Sequence, residues 1–147
     1  MCLSTTPQQQ ANQLPQILLM EDETNVAKGL KLVLGEAGYK VDWAETGKRA
    51  LELCRQKSYD LILADLVLPD LDGLAVIREV RQQWPETGII VMTGYASVST
   101  AVDAMKLGAF DYLEKPFTDD EIKAAINEAL IAGAKLVSEV KVQPVST

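Results

Sequence analysis

Three runs in this chain are apolar at every position: residues 17–20 (ILLM), 61–64 (LILA) and 89–92 (IIVM). Each is short, and none has a polar residue to turn towards water. That is the pattern of a strand covered on both faces. Helical patterns separate the runs. Between Thr24 and Ala37 the residues Val26, Leu30, Val33, Leu34 and Ala37 share one face, and Gly38 stands where a helix stops. Residues 47–57 repeat the helical period with Thr46 as a candidate N-cap, and residues 73–84 do so up to Pro85. Residues 98–107 form another, stopped by Gly108. Two further strand-like segments, 41–44 (VDWA) and 110–113 (FDYL), each carry a charge. A last helix opens at Thr118, where TDDE makes a capping box with Glu121.

Strand followed by helix, five times over, predicts an α/β domain with a parallel sheet and helices on both faces. The apolar runs suit its centre and the charged ones its edges. The order 2-1-3-4-5 meets both conditions, giving a doubly wound, flavodoxin-like sheet. In that order a crevice opens outside the carboxyl ends of the strands, beside the first. The chemistry of the sequence gathers at those ends. Glu21, Asp22 and Glu23 follow the first strand, Asp65 ends the third, Thr93 ends the fourth, and Lys115 and Pro116 follow the fifth.

Clustered carboxylates repel one another and destabilise an empty site, so a cation is expected among them. Magnesium prefers hard oxygen ligands and retains several waters. Glu21, Asp22 and Asp65 can offer carboxylate oxygens, and the backbone carbonyl of Val67 another. Asp65 can in addition attack a phosphorus atom held in line. Lys115 and Thr93 are then placed to neutralise and hydrogen-bond the phosphoryl oxygens, since phosphoryl transfer rests on positioning and charge neutralisation.

The composition narrows the alternatives. The chain of 147 residues contains no histidine, which excludes His-based zinc sites, His general bases and phosphohistidine on this chain. Fourteen basic residues against 21 acidic ones give a net charge of −7, which disfavours direct nucleic-acid binding. No apolar run approaches the length of a membrane span. The N-terminus lacks the pattern of a secretory signal. Cys2 and Cys54 are too few for a disulfide framework, and Cys54 falls in a helical pattern as an expected buried thiol. These features favour a cytoplasmic protein.

The stretches ILLMEDE, LILADLVLPDLDG, VMTGYAS and LGAFDYLEKPF resemble the receiver domain of two-component response regulators over roughly residues 16–133. The resemblance implies that Asp65 is the phosphoacceptor and that Glu21 and Asp22 are the acidic pair that helps bind Mg2+. It makes Thr93 the switch hydroxyl, Lys115 the lysine before proline, and Tyr112 the switch aromatic. It also implies a cis Lys115–Pro116 bond. The implied donor is a sensor histidine kinase or phosphotransfer protein. The implied readout is a changed surface on the fourth helix, fifth strand and fifth helix, met by an output domain, a target protein or a second copy of the chain.

Two departures stand out. Receivers more often have Asp at the position of Glu21, and the extra methylene opens a choice between direct and water-mediated metal contact. Val67 and Tyr95, two residues beyond Asp65 and Thr93, offer no carboxylate or carboxamide to orient water, so slow self-dephosphorylation is expected, with Tyr95 shielding the site. An aspartyl-phosphate hydrolase needs an acid where Val67 stands. A flavin binder needs a Ser-, Thr- and Gly-rich phosphate loop where EDET stands. A degenerate receiver, used only for interaction, is opposed by the intact Asp65, Thr93 and Lys115.

The expected organisation is a flexible polar tail over 1–14, the receiver domain over 15–133, and a helical extension or linker over 134–147. For the last segment two readings stand: a domain-closing helix that frays after Gly133, or a longer helix leading to a partner or an output domain. KLGAFDYLEKPF resembles receivers that precede transcriptional-activator domains, which favours a fragment of a longer regulator over a stand-alone receiver.

Overall fold

The computed structural model describes residues 14–94 and 98–146, with side chains at 14–94 and 99–133. Five strands and five helices alternate: β1 (Gln16–Met20), α1 (Thr24–Glu36), β2 (Lys40–Ala44), α2 (Gly47–Gln56), β3 (Leu61–Asp65), α3 (Gly73–Gln83), β4 (Gly88–Thr93), α4 (Val98–Lys106), β5 (Asp111–Glu114) and α5 (Asp119–Ser146). The strands form one sheet in the order β2-β1-β3-β4-β5, every neighbouring pair parallel. This is the doubly wound fold expected from the alternation, with the two charged strands at the edges.

The apolar strands divide their side chains between two cores. Leu18, Met20, Ile62, Ala64, Ile89 and Val91 face α2, α3 and α4, where Ala50, Cys54, Val76, Ile77, Val80 and Ala104 meet them. Ile17, Leu19, Leu61, Leu63, Ile90 and Met92 face α1 and α5. A strand's side chains alternate between faces, so strands buried on both sides must be apolar at every position. Each such Leu or Ile contributes about 1.5–3 kcal/mol of burial free energy. Cys54 is buried as expected, which pushes its thiol up to about 11.

The punctuation follows local chemistry. Gly38 and Gly108 take φ of +99° and +104° after α1 and α4, a region that costs a side chain strain. The Thr46 hydroxyl accepts from Arg49 N at the start of α2, and Thr118 and Glu121 make the reciprocal bonds of the capping box.

Two sequence expectations change in detail. On α1 the buried residues are Ala27, Leu30 and Leu34, whereas Ala37 is the exposed C-cap and Val26 and Val33 are half-buried. The 3.6-residue period places Ala27 on the same face as Leu30 and Leu34, one turn before Leu30. The fifth strand begins at Asp111 rather than at 110, because Ala109 turns into the core after Gly108 while Phe110 stays exposed. The last helix, α5, runs from Asp119 past Gly133 to Ser146. Residues 1–13, including Cys2 and most of the expected tail, lie outside the described residues.

Candidate functional site

Parallel strands deliver their carboxyl ends to one edge, and the register decides what meets there. Met20 pairs with Ala64, so the next residues, Glu21 and Asp65, emerge side by side. Asp65 pairs with Met92 and Thr93 with Glu114, which brings the start of the β5–α5 loop to the same edge. The Lys115–Pro116 bond in that loop is cis, as the resemblance implied.

Lys115 joins the two acidic strand ends. Its Nζ lies 2.5 Å from Glu21 Oε1 and 2.8 Å from Asp65 Oδ2. The remaining oxygens are engaged by backbone amides: Glu23 N donates to Glu21 Oε2 at 3.1 Å, and Val67 N donates to Asp65 Oδ1 at 2.9 Å. Glu21 is 0% exposed and Asp65 5%. The acidic run after β1 is therefore not a uniformly solvated loop: Glu21 turns inward, while Asp22 and Glu23 face solvent. Thr93 is 1% exposed, and its carbonyl accepts from Lys115 N at 2.9 Å.

Burial raises the Glu21 carboxyl above its ordinary range, with Asp65's charge adding to the rise, while Lys115 and the Glu23 amide oppose it. For Lys115, burial alone would lower the ammonium. Its bonds to Asp65 and Glu21 outweigh that and hold it above the ordinary lysine value. Glu21, Asp22 and Asp65 each bring one carboxylate oxygen within 4.8 Å of the others. Three carboxylates against one bridging ammonium leave two formal negative charges (−3 + 1 = −2). An all-oxygen donor set of that charge, open to solvent at Asp22, fits a small hard divalent cation that keeps part of its water.

The other named residues surround this centre. Val67 is 51% exposed at the rim, tied back by a bridge to Asp72. Tyr112, on β5, pairs with Val91 of β4, two residues before Thr93. It is half-buried against the core under α2–α4, with its hydroxyl buried and without a hydrogen-bond partner among the described residues. Tyr95 lies outside the described residues.

Sequence reading missed how the loops around the centre are held. Asp70 accepts from Gly47 N at 2.9 Å and Lys48 N at 3.0 Å, fastening the β3–α3 loop to the N-terminus of α2. The preference of helix N-termini for anions was a usable signal, but the pairing of distant loops was not. Gly73 N donates to Leu66 O, and a Cβ at Gly73 would stand 2.5 Å from Leu66 Cα, so the loop closes on itself only over a glycine. Trp43 Nε1 donates to Glu21 O at 2.7 Å. An alternating edge-strand tryptophan gave no hint of that bond.

The family model of the response regulator receiver domain matches residues 17–127. The transcriptional regulatory protein ZraR of Escherichia coli (strain K12) is 39% identical over 114 residues, which are 78% of this chain and 26% of that protein. The chain thus spans about a quarter of the length of that relative. Among solved structures, a CheY-like response regulator receiver domain protein from Methanospirillum hungatei JF-1 superposes with a TM-score of 0.81 at 30% identity, covering 83% of this chain and 98% of that one. NtrX from Brucella abortus gives a TM-score of 0.81 at 31% identity, over 87% of this chain and 29% of that one.

Proposed function

Since the chain belongs to the response regulator receiver domain family, we propose that it accepts a phosphoryl group on Asp65 from a phosphohistidine and transmits the event through its surface. The observation that carries this reading is the Lys115 ammonium bonded to both Glu21 and Asp65, two carboxylates buried side by side at strand ends. The donor is a sensor histidine kinase or a phosphotransfer protein, because this chain has no histidine of its own. The exchange takes place in the cytoplasm.

In the transfer an Asp65 carboxylate oxygen attacks phosphorus. The P–N bond of the donor phosphohistidine breaks, and its electron pair returns to the imidazole. The carboxylate becomes an acyl phosphate. Glu21, Asp22, Asp65 and the Val67 carbonyl would hold Mg2+, which when bound supplies charge neutralisation for the phosphoryl oxygens. Lys115, positioned over Asp65, moves its charge from the carboxylate to a phosphoryl oxygen. The Thr93 hydroxyl, at the end of the neighbouring strand, donates to another. The chain is an acceptor rather than an enzyme with turnover, and nothing at Val67 orients water to hydrolyse the product.

The readout is a population shift. Thr93 is drawn towards the phosphoryl group, Tyr112 adjusts on the adjoining strand, and the surface of α4, β5 and α5 changes. That face is read by an output domain, a target protein or a second copy of the chain. ZraR, one of the relatives, is named a transcriptional regulatory protein. We read the output here as transcriptional too, and as carried by residues other than these, whose net charge of −7 disfavours DNA binding.

Labelling with acetyl phosphate tests the core of this reading. One phosphoryl group is expected per chain, dependent on Mg2+, located by mass spectrometry at Asp65 and lost in Asp65→Asn. Equal labelling of Asp65→Asn would remove the assignment. No labelling of the folded parent chain would favour a pure interaction module.

A further inference from the structure

Trp43 sits on the edge strand β2, half-buried, with its ring against the core under α1 and α5. Its indole N–H donates to the carbonyl oxygen of Glu21 at 2.7 Å, and the amide of Glu21 donates to the carbonyl of Ala44 at 3.1 Å. Both backbone polar groups of Glu21 are therefore bonded to the last two residues of β2. The Glu21 carbonyl lies in the peptide plane that leads to Asp22. Peptide units are planar, so holding that oxygen also holds the nitrogen and Cα of Asp22.

Asp22 needs such support more than its neighbours do. The carboxylates of Glu21 and Asp65 are gripped by Lys115 and by backbone amides. Asp22 is exposed, and the described residues supply its carboxylate with no comparable bond, yet it lies in the same cluster. Its place there is set by its backbone.

We propose that Trp43 is a positioning residue for the divalent-cation site, its indole N–H fixing the Glu21–Asp22 peptide so that the Asp22 carboxylate is presented to the ion. The inference rests on the proposed Mg2+ role of Glu21, Asp22 and Asp65. It goes further, because it assigns a function to an edge-strand side chain that packing alone would otherwise explain. If Trp43 served packing only, removing its N–H while keeping an aromatic ring would change stability and leave ion affinity alone.

The test is calorimetric titration of the 147-residue chain with Mg2+, comparing the parent with Trp43→Phe and Trp84→Phe. A neutral hydrogen bond of ordinary net strength predicts that Trp43→Phe weakens Mg2+ binding by about three- to tenfold, while Trp84→Phe binds as the parent does. With acetyl phosphate, the half-saturating Mg2+ concentration of Trp43→Phe should rise by the same factor while the rate at saturating Mg2+ is retained. A folded Trp43→Phe whose affinity stays within about 1.5-fold of the parent overturns the proposal. Should that variant not fold, the parent decides. The chain has two tryptophans, and the indole N–H resonance of Trp43 should move along the Mg2+ binding curve while that of Trp84 stays still. An unmoved Trp43 resonance at Mg2+ saturation overturns it as well. If the parent binds no Mg2+, the metal reading under the proposed function falls, a result distinct from unaltered affinity in the variant.

Discussion

Lys115 Nζ stands 2.5 Å from Glu21 Oε1, so the ammonium at the site is shared between a carboxylate 0% exposed and the candidate phosphoacceptor beside it. Removing the charge while keeping the side-chain length, as in Lys115→Met, leaves Glu21 and Asp65 adjacent without their bridge. Burying unpaired charge is costly, and partial solvent access to Lys115 reduces the penalty to about 1–3 kcal/mol. Denaturant unfolding without Mg2+ should show that loss, and Mg2+ should restore part of it by supplying positive charge. Phosphorylation should slow even at saturating Mg2+. Unchanged stability would mean that the ammonium contributes little to holding the two carboxylates together.

Mg2+ itself should stabilise the parent chain. A ligand that binds only the folded state adds RT ln(1 + [L]/Kd), about 2.7 kcal/mol at a hundredfold excess over Kd. Melting temperature should rise with Mg2+ and fall back on chelation. The rise should shrink in Asp22→Asn and Asp65→Asn, whose carboxylates belong to the cluster. An equal rise in all three chains would point to non-specific screening.

Much of this was legible before any coordinates. The fully apolar runs marked the central strands because burial on both faces leaves no position for a polar residue. Once the strand order is known, their ends name Glu21, Asp65 and Thr93, and the end of the charged edge strand β5 adds Lys115. What stayed hidden depends on groups far apart in sequence or on backbone atoms. The bond from Asp70 to the Gly47 amide joins two loops whose proximity exists only after the sheet forms. The burial of Glu21, against the exposure of Asp22 and Glu23, is set by the register of β1 against β3, and three consecutive acids look alike in sequence.

A second polar cluster predicts the pH profile of stability. Asp42 Oδ2 accepts from Tyr59 Oη at 2.7 Å and from Lys57 Nζ at 3.0 Å. Burial would raise Asp42, but the bonds from Tyr59 and Lys57 prevail and its carboxyl lies below the ordinary 3.8. Burial and the bond to Asp42 raise the Tyr59 phenol above the ordinary 10.0. A lowered acid stabilises the fold above its unfolded value and loses that contribution as pH falls through its folded value. A raised phenol stabilises below its unfolded value and loses that contribution as pH rises towards the folded one. Stability should therefore decline at both extremes. Tyr59→Phe should flatten the alkaline decline and move the acid decline to higher pH. Unfolding curves across pH measure this, and a parent-like alkaline limb in the variant would assign that limb to other groups.

Val67 bears on the lifetime of the phosphorylated state. It is half-exposed two residues beyond Asp65, so a larger polar side chain fits there without repacking the core. Val67→Glu places a carboxylate where it can orient and deprotonate water, a form of catalysis that commonly contributes about a hundredfold or more when geometry is good and about tenfold when it is not. Decay of labelled protein, followed after removal of acetyl phosphate, should quicken by about tenfold. An unchanged decay rate would show that water reaches phosphorus from another side.

The β3–α3 loop offers the sharpest separation between geometry and chemistry. Asp70 grips the α2 N-terminus with both oxygens; desolvation would raise its carboxyl, but the bonds from backbone amides, those of Lys48 and Gly47 foremost, prevail and hold it below the ordinary 3.8. Asp70→Ala removes two acceptors from amides at the start of α2 that have no intrahelical partner, and should lower the melting temperature modestly. Gly73 is constrained differently, since a Cβ there meets the Cα, carbonyl oxygen and carbonyl carbon of Leu66, all backbone atoms that no rotamer change can relieve. Gly73→Ala must shift the segment that carries Asp65 and Val67, so it should cost about 3 kcal/mol and displace the loop. Thermal unfolding ranks the two. Mg2+ affinity then separates them further, with Asp70→Ala close to the parent and Gly73→Ala clearly weaker. A Gly73→Ala chain with parental stability and Mg2+ affinity would mean that the loop has slack, and that the close packing of Gly73 on Leu66 does not set the position of Val67.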